Sequence, residues 1–257
     1  RALAEDLISS GTTRAAVFSS RHTGATLVLM EELERAGVTG YVGKVNMDRD
    51  SGEAQEGTEE SVSETLRWLE NCRFQHVRPI LTPRFTPSCS DRLMEALGKI
   101  AAERDLPVQS HLSENEGEIA LVGRLHPDCA QYWETYAKYG LWKKGTLMAH
   151  CVHSDEREQN AMRDAGVWAV HCAASNVNLC SGTAPVRRLL ERGVRVALGS
   201  DIAGGDQLAM NRVIAASIRA SKVRQMETGE AFLTVPEAYY LGSTAGHAYF
   251  GGGGFAT

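Results

Sequence analysis

Seven apolar, β-rich runs alternate with helical patterns along the chain. They span residues 13–19, 38–46, 77–83, 107–112, 146–151, 167–172 and 194–200. Each run is almost continuously hydrophobic, which is typical of parallel strands that are covered on both faces. The pattern therefore predicts strand–helix units that follow one another in series.

Polar and glycine residues between the runs predict where helices begin and end. Ser90 suits the N-cap of a helix whose apolar residues recur at helical spacing. Acidic residues and a terminal glycine bound a second helix over 155–166, and proline and glycine bound a third over 185–193. Asp206 is predicted to cap a long helix that reaches about residue 228.

Seven such units predict an α/β fold, namely a (β/α)8 TIM barrel with one unit missing. By this count residues 1–257 form an incomplete barrel with strands 2 to 8, and the first strand is expected upstream of Arg1. The alternative is a flavodoxin-like or Rossmann sheet. No Gly-x-Gly-x-x-Gly follows the first strand, which disfavours a dinucleotide-binding sheet.

Composition narrows the class of protein. The chain is 43% hydrophobic and 23% charged, as in ordinary globular domains, and its net charge of -5 disfavours binding to a nucleic-acid backbone. No apolar run is long enough to cross a membrane, and the first residues resemble a helix rather than a signal peptide. The six cysteines contain no Cys-x-x-Cys pair, which favours free thiols in a reducing cytoplasm. We therefore expect a cytoplasmic protein without nucleic-acid or membrane partners.

Chemically capable side chains stand where the apolar runs end. They are Arg84, His111, His150, His171 and Asp201. Any one of them could simply cap or solvate a loop. Catalytic side chains in a barrel, however, lie at the carboxyl ends of strands, and three successive runs here end in histidine before a fourth ends in aspartate. Together these residues predict a hydrolytic metal site.

His111 and Glu114 lie three residues apart. A neutral imidazole is a good zinc ligand, and a carboxylate one turn further on can hold a proton beside the metal. The alternative is a core histidine near a surface glutamate.

The residues at the ends of the later strands could each have more than one role in the site. His150 could bind a metal or donate a hydrogen bond to substrate, whereas His171 could support the site or contact it directly, and His153 is predicted to lie in a loop. The irregular Ile202-Ala-Gly-Gly sequence makes helix capping by Asp201 less natural, so its carboxylate could bind metal on one oxygen and a proton on the other. The polar run 175–178 could cap its loop or hold the metal ligands from behind.

Arg84 offers a rigid guanidinium that suits a planar ligand with paired acceptors, and Phe85 could pack on an aromatic ring. An ion pair on the rim is the alternative for Arg84. Lys44 could bridge two metals only if carbamylated. No other feature of the chain supports a dinuclear site, so Lys44 is predicted to be structural or to lie on the rim.

At these motifs the sequence resembles the amidohydrolase superfamily and, within it, the guanine deaminases. The sequence motifs that carry the resemblance span residues 43–48, 82–85, 109–115, 149–153, 171–176 and 199–201. The His and Asp positions are shared by many amidohydrolases. The Pro-Arg-Phe and His-Leu-Ser-Glu-Asn strings are more particular to the guanine deaminases.

The resemblance implies one zinc ion per subunit, with iron as an alternative, ligated by His111 and Asp201. It also implies that Glu114 shuttles a proton to the purine and then to the departing ammonia, and that His150 orients the attacking hydroxide. The implied reaction is hydrolysis of guanine to xanthine and ammonia in purine catabolism, by a homodimer.

The implied purine contacts include two further residues. Arg84 and the backbone of Phe85 would bind the edge of the purine, in addition to contacts from the zinc ligands and Glu114.

The sequence departs from the family pattern at several points. No His-x-His pair occurs, although the family carries one on its first barrel strand, and the family's small β-sandwich is missing. Ala173 and Ala174 replace a common Pro-Thr, and Cys180 stands where glycine is usual. The missing His-x-His pair predicts weak zinc binding and leaves the activity of the 257-residue chain itself open, whereas the replacements at Ala173-Ala174 and Cys180 affect the loop rather than the chemistry.

Three other functions are weighed. The chain could belong to a deaminase or chlorohydrolase of another purine, a pyrimidine or a triazine. It could instead be a non-catalytic purine-binding protein or an inactive fragment. A cytidine-deaminase fold is disfavoured because Pro-Cys-x-x-Cys is absent.

Overall fold

The computed structural model describes residues 1–251. Their strands are β1 (Arg14–Phe18), β2 (Thr39–Gly43), β3 (Val45–Asn46), β4 (Val77–Pro79), β5 (Thr82–Pro83), β6 (Gln109–Leu112), β7 (Leu147–His150), β8 (Trp168–His171) and β9 (Arg195–Leu198). Their α-helices are α1 (Ala2–Ser9), α2 (Thr23–Arg35), α3 (Thr58–Asn71), α4 (Asp91–Glu103), α5 (Glu116–Leu125), α6 (Glu134–Ala137), α7 (Glu156–Ala165), α8 (Ala173–Asn178), α9 (Val186–Glu191), α10 (Met210–Thr228), α11 (Val235–Tyr240) and α12 (Gly246–Tyr249).

All seven predicted apolar runs contain strands, which confirms the alternating α/β pattern. Two runs are each divided into two short strands, β2 with β3 and β4 with β5. At the end of β2 the backbone passes very close to the other run, since a Cβ on Gly43 would lie 1.7 Å from Thr82 Oγ1. Only glycine permits this approach without displacing Thr82.

The chain divides into two compact units, and the first comprises residues 1–110 and 121–146. Its strands form a parallel three-stranded sheet in the order β1-β2-β4 and a parallel pair, β3-β5. Ser90 caps α4 as predicted, because its hydroxyl accepts the Leu93 N–H at 3.2 Å. Trp68, Leu93 and Leu97 lie in the apolar core of this unit.

Lys44 is a buried structural residue of the first unit. Its ammonium lies 3.0 Å from each carboxylate oxygen of Glu56, and both side chains are buried. Burial lowers the pKa of Lys44, and the charge of Glu56 opposes that shift. The structural interpretation of Lys44 is confirmed.

Among the described residues, the second unit comprises 111–120 and 147–251, so the boundary between the units falls within β6 and α5. The order of the sheet that includes β6 is β6-β7-β8-β9, and the pairs β7-β8 and β8-β9 are parallel. His171 at the end of β8 pairs with Leu198 at the end of β9. The carboxyl ends of these strands therefore reach the same edge of the sheet.

The helix boundaries of the second unit agree with prediction in one case and differ in another. Asp155 caps α7, and Gly166 ends it in the left-handed region at φ 70°. The predicted cap at Asp206 is wrong, because α10 begins at Met210, and Ala209 occupies the cap position. A tight turn, in which the Gly205 N–H donates to the Asp201 carbonyl, precedes the helix, so the helix begins later than predicted.

Within residues 1–251, no helix has the length and apolar character that crossing a membrane requires. The six cysteines are free, as predicted, and three of them (Cys89, Cys151 and Cys172) are buried.

Candidate functional site

The candidate site lies in the second unit, where several loops leave their strands in an unusual backbone conformation. Non-glycine residues have positive φ at Ser113 (47°), His150 (73°), Cys151 (50°) and Asp201 (45°). Left-handed backbone is costly for residues other than glycine and is concentrated at functional sites. The surrounding structure stabilises these conformations, which bring the side chains at these strand ends close to one another.

His150 lies at the centre of this cluster of side chains and is 2% exposed. Its Nδ1 is 2.8 Å from Asn176 Oδ1. Its Nε2 faces two carboxylates, at 3.8 Å from Glu114 Oε2 and 4.0 Å from Asp201 Oδ2. The ring of His111 stacks on that of His150, with centroids 5.2 Å apart. The structure thus brings together four predicted residues of the site and a buried carboxamide.

The carboxylate side chains of Glu114 and Asp201 are partly exposed to solvent, whereas the imidazole of His150 is buried. The side chain of Glu114 is 18% exposed and that of Asp201 is 33% exposed. A small polar molecule can therefore reach carboxylate oxygens that are held against a buried ring.

Glu114 is held by neighbours on several sides. Ser181 Oγ donates to Glu114 Oε1 at 3.0 Å, and the Ser181 carbonyl lies 2.9 Å from His153 Nε2. The Glu114 N–H donates to the Glu118 carboxylate at 2.9 Å, which anchors the backbone at the start of α5. These contacts leave Glu114 Oε2 directed at His150.

The donor set fits a transition metal such as zinc. One possible ligand atom from each of His150, Cys172 and Asp201 lies within 4.8 Å of the other two, and His111 adds an imidazole stacked on His150. Imidazole, thiolate and carboxylate are the ligands that zinc prefers. Sequence reasoning missed Cys172, whose pKa is raised by burial and then by the charge of Asp201.

Three buried polar atoms near the end of β8 have no hydrogen-bonding partner among the residues described: His171 Nδ1, Ser175 Oγ and Asn176 Nδ2. Burial and the neighbouring His150 lower the pKa of His171 to about 4, so this imidazole is neutral at physiological pH. Unpaired buried polar groups are rare in folded proteins. Their concentration here is typical of a site that is completed by a bound ligand.

Two asparagines in the polar run 175–178 have the two predicted roles, namely support of the site residues from behind and closure of the loop. Asn176 supports His150 from behind, whereas Asn178 Nδ2 donates to the Gly204 carbonyl at 3.0 Å and closes the loop after Asp201. A Cβ on Gly204 would lie 2.6 Å from Ser175 Oγ and 3.0 Å from Asp201 Oδ2. Only glycine at this position allows the loop to pack beside the aspartate.

Glu158 is a second residue that sequence reasoning missed. This buried carboxyl accepts hydrogen bonds from Ser154 Oγ at 2.6 Å and from Ser113 Oγ at 3.1 Å, beside the backbone of Glu114. Burial raises its pKa to about 7, against the effect of the two hydroxyl donors. The negative charges of Asp155 and Glu118 raise the pKa further.

Glu158 is expected to make folding stability depend on pH. Because its folded pKa of about 7 exceeds the ordinary 4.5, the folded chain binds more protons than the unfolded chain between these values. The free energy of unfolding should therefore fall as pH rises from about 4.5 to about 7, by roughly 3 kcal/mol from this group. Urea unfolding at pH 5 and pH 7.5 measures the effect.

Glu158→Gln should remove most of that slope, and Glu156→Gln, at an exposed position of the same helix, should retain it. Parallel pH profiles for the parent and Glu158→Gln would contradict the assignment.

Arg84 and Phe85 belong to the first unit. The Arg84 guanidinium lies over the Phe85 ring, 5.0 Å from its centroid. The Arg84 N–H donates to the Asn46 carbonyl at 3.0 Å, and its own carbonyl accepts the Ser110 hydroxyl at 3.1 Å. These bonds fix the backbone that presents both side chains. Contact of the Arg84 and Phe85 side chains with a substrate stays a prediction.

The chain matches the amidohydrolase family over residues 1–252. The chain belongs to the amidohydrolase family. The match confirms the predicted fold class, an α/β amidohydrolase of the TIM-barrel type.

Individual relatives are consistent with this assignment. The chain is 38% identical to a guanine deaminase of Dictyostelium discoideum over 245 residues, which cover 93% of the chain and 54% of the relative. A crystal structure of guanine deaminase from C. acetobutylicum with bound guanine has a TM-score of 0.94 and 44% identity, covering 97% of this chain and 61% of that one.

A more distant solved structure shares the fold. This atrazine chlorohydrolase of Arthrobacter aurescens, complexed with zinc, has a TM-score of 0.80 and 19% identity, covering 96% of this amidohydrolase chain and 58% of that one. The chain spans about half the length of the curated relatives that it matches.

Proposed function

We propose that this amidohydrolase acts in the hydrolytic deamination of guanine to xanthine and ammonia, a step of purine catabolism. The observation that carries the proposal is the convergence of two carboxylates, Glu114 and Asp201, on one imidazole nitrogen of His150. The similarity to solved and curated guanine deaminases supports guanine as the substrate.

We propose that His111 and Asp201 hold one zinc ion per subunit, with iron as an alternative that metal analysis distinguishes. Zinc, when bound, lowers the pKa of water so that a nucleophile is available at neutral pH. Cys172 Sγ beside Asp201 also fits zinc, because a thiol that coordinates zinc loses its proton.

The chain's own residues then carry the protons. In the proposed reaction Asp201 accepts a proton from the attacking water, whose oxygen forms a bond to the carbon that bears the exocyclic amine of guanine. A hydrogen bond with His150 orients this oxygen. Glu114 takes the other proton of this water to the purine ring nitrogen and then relays the proton held by Asp201 to the amine; the carbon–nitrogen bond breaks, the new carbonyl of xanthine forms, and ammonia leaves.

Substrate selection is proposed to depend on Arg84 and Phe85. A guanidinium presents paired N–H donors to paired acceptors on a purine edge, and the position of Arg84 over the Phe85 ring restricts its orientation. The partly exposed carboxylate of Glu114 and that of Asp201 suit polar contacts to the same class of substrate.

Turnover of guanine tests the proposal. The complete open reading frame that encodes this chain, loaded with zinc, should convert guanine to xanthine, followed by ultraviolet absorbance. A folded, zinc-loaded protein that leaves guanine unchanged but hydrolyses another purine, a pyrimidine or a triazine would reassign the substrate. If it turns over none of these, the proposal fails, and purine binding by the inactive protein becomes the next measurement.

Arg84→Ala is expected to raise KM for guanine by about tenfold or more with little change in zinc content, because it removes binding to the substrate. Steady-state kinetics and metal analysis measure the two effects. Arg78→Ala is the matched control, since Arg78 is also exposed and lies over an aromatic ring, that of Tyr41, in the same unit. Equal KM values for Arg84→Ala and the parent would remove Arg84 from the proposed site.

A homodimer and a cytoplasmic location are further proposals. Sedimentation of the zinc-loaded protein tests the first, and fractionation of the source cells tests the second.

A further inference from the structure

The helix α8 ends in a turn that connects two residues of the candidate site. The N–H of Ser181 donates to the Asn176 carbonyl at 2.7 Å, and the N–H of Cys180 donates to the Val177 carbonyl at 3.1 Å. Cys180 between them has φ 57°. This pair of bonds around a left-handed residue is the Schellman motif, which closes helix carboxyl ends.

Both ends of that turn direct a side chain at a proposed catalytic group, Asn176 at His150 and Ser181 at Glu114. Asn176 Oδ1 lies 2.8 Å from His150 Nδ1, and Ser181 Oγ donates to Glu114 Oε1 at 3.0 Å. Asn176 is fully buried and Ser181 is 6% exposed, so water competes little for either contact. The hydrogen bond between the Ser181 N–H and the Asn176 carbonyl fixes the distance between the two anchors.

We propose that the turn at the end of α8 positions Glu114 for proton transfer and His150 for orienting the attacking oxygen, with Ser181 as the positioning residue for Glu114. The inference rests on the proposed function, since it names what aligns Glu114 and His150 in that same site. Ser181 occupies Glu114 Oε1, and the other oxygen, Oε2, faces His150 Nε2 at 3.8 Å. Without the hydroxyl, the carboxylate can rotate away from this orientation.

A second bond makes Ser181 more than a local loop contact. Its carbonyl lies 2.9 Å from Nε2 of His153, and the His153 N–H donates to the Ser113 carbonyl at 2.9 Å, directly before Glu114. The turn is therefore tied both to the carboxylate of Glu114 and to the backbone that carries it.

Ser181→Ala in the complete, zinc-loaded protein tests the inference. We expect kcat for guanine to fall about 10- to 100-fold with KM within about twofold of the parent, since small misplacements of catalytic groups carry losses of that order. Zinc content should stay unchanged. Ser181→Thr, which retains a hydroxyl, should recover most of the lost kcat.

Cys180→Gly is the matched control. It removes a side chain from the same turn, keeps the Ser181 hydroxyl and suits a positive φ, so kcat should stay within about twofold of the parent. A merely structural role for the turn would make Ser181→Ala and Ser181→Thr equally poor.

Crystal structures of the parent and Ser181→Ala decide the point without any substrate. We expect the Glu114 carboxylate to rotate or to occupy two orientations in the variant. A carboxylate that keeps its place overturns the inference, as does an unchanged kcat. A parent protein without guanine turnover refutes the proposed function alone, because the crystallographic comparison still tests the positioning of Glu114.

Discussion

Glu114→Gln is expected to lower kcat for guanine by about a thousandfold while guanine binding and zinc content stay near those of the parent. Glutamine has the size of glutamate and can still accept the Ser181 hydroxyl hydrogen bond, which in the structure is 3.0 Å long. It cannot take a proton from water or return one to the leaving amine. General acid–base groups contribute on the order of 10²–10⁴ in rate, and Glu114 is proposed to act in two successive transfers.

Pre-steady-state and steady-state measurements of guanine hydrolysis check the Glu114 prediction. Glu116→Gln is the matched control because Glu116 is an exposed residue in the first turn of α5. If Glu114→Gln turned over guanine at more than about a tenth of the parental rate, proton transfer would have to be assigned to another group. Asp201 would then be the first candidate, since its carboxylate lies 4.0 Å from the same His150 nitrogen.

Asp201→Asn is expected to remove both metal and activity. A neutral amide is a much poorer zinc ligand than a carboxylate, and the variant also loses a proposed proton acceptor. We expect zinc per subunit to fall well below the parental value and kcat/KM to fall at least about a thousandfold. The amide matches the carboxylate in size, so the closely packed Gly204 loop should fold unchanged.

Metal analysis after dialysis, together with guanine kinetics, measures both losses. Asp206→Asn is the control, because Asp206 is an exposed aspartate five residues further along the same segment. Parental zinc content in Asp201→Asn would exclude Asp201 as a ligand, and the imidazole of His150 with the Cys172 thiol would become the next ligands to test.

The sequence predicted the strands well because a strand that is buried on both faces requires a nearly continuous run of apolar residues. The run 146–151 must be apolar to lie in a parallel sheet, and His150 at its end interrupts that pattern visibly. His111 and Asp201 were recognised in the same way. The predicted helix start at Asp206 was wrong, because an aspartate can equally occupy a turn before the helix.

Side chains from distant segments were not predictable from local patterns. Ser181 binds Glu114 across 67 residues, and Glu158 binds Ser113 across 45. A serine or glutamate in a polar loop or helix has no periodicity that distinguishes a surface residue from a buried anchor. Cys172 was likewise hidden, because a cysteine after an apolar strand is ordinary core.

The sequence by itself determined the α/β order, the strand ends that bear His111, His150 and Asp201, and the resemblance to the amidohydrolases. These features are local, since they depend on hydrophobic period and on residues adjacent to strand ends. Only the tertiary structure decided that Glu114 and Asp201 both face His150 Nε2, and that Asn176 and Ser181 hold this arrangement from one helix end. Such distances arise when separate strands and loops pack together, and no single segment encodes them.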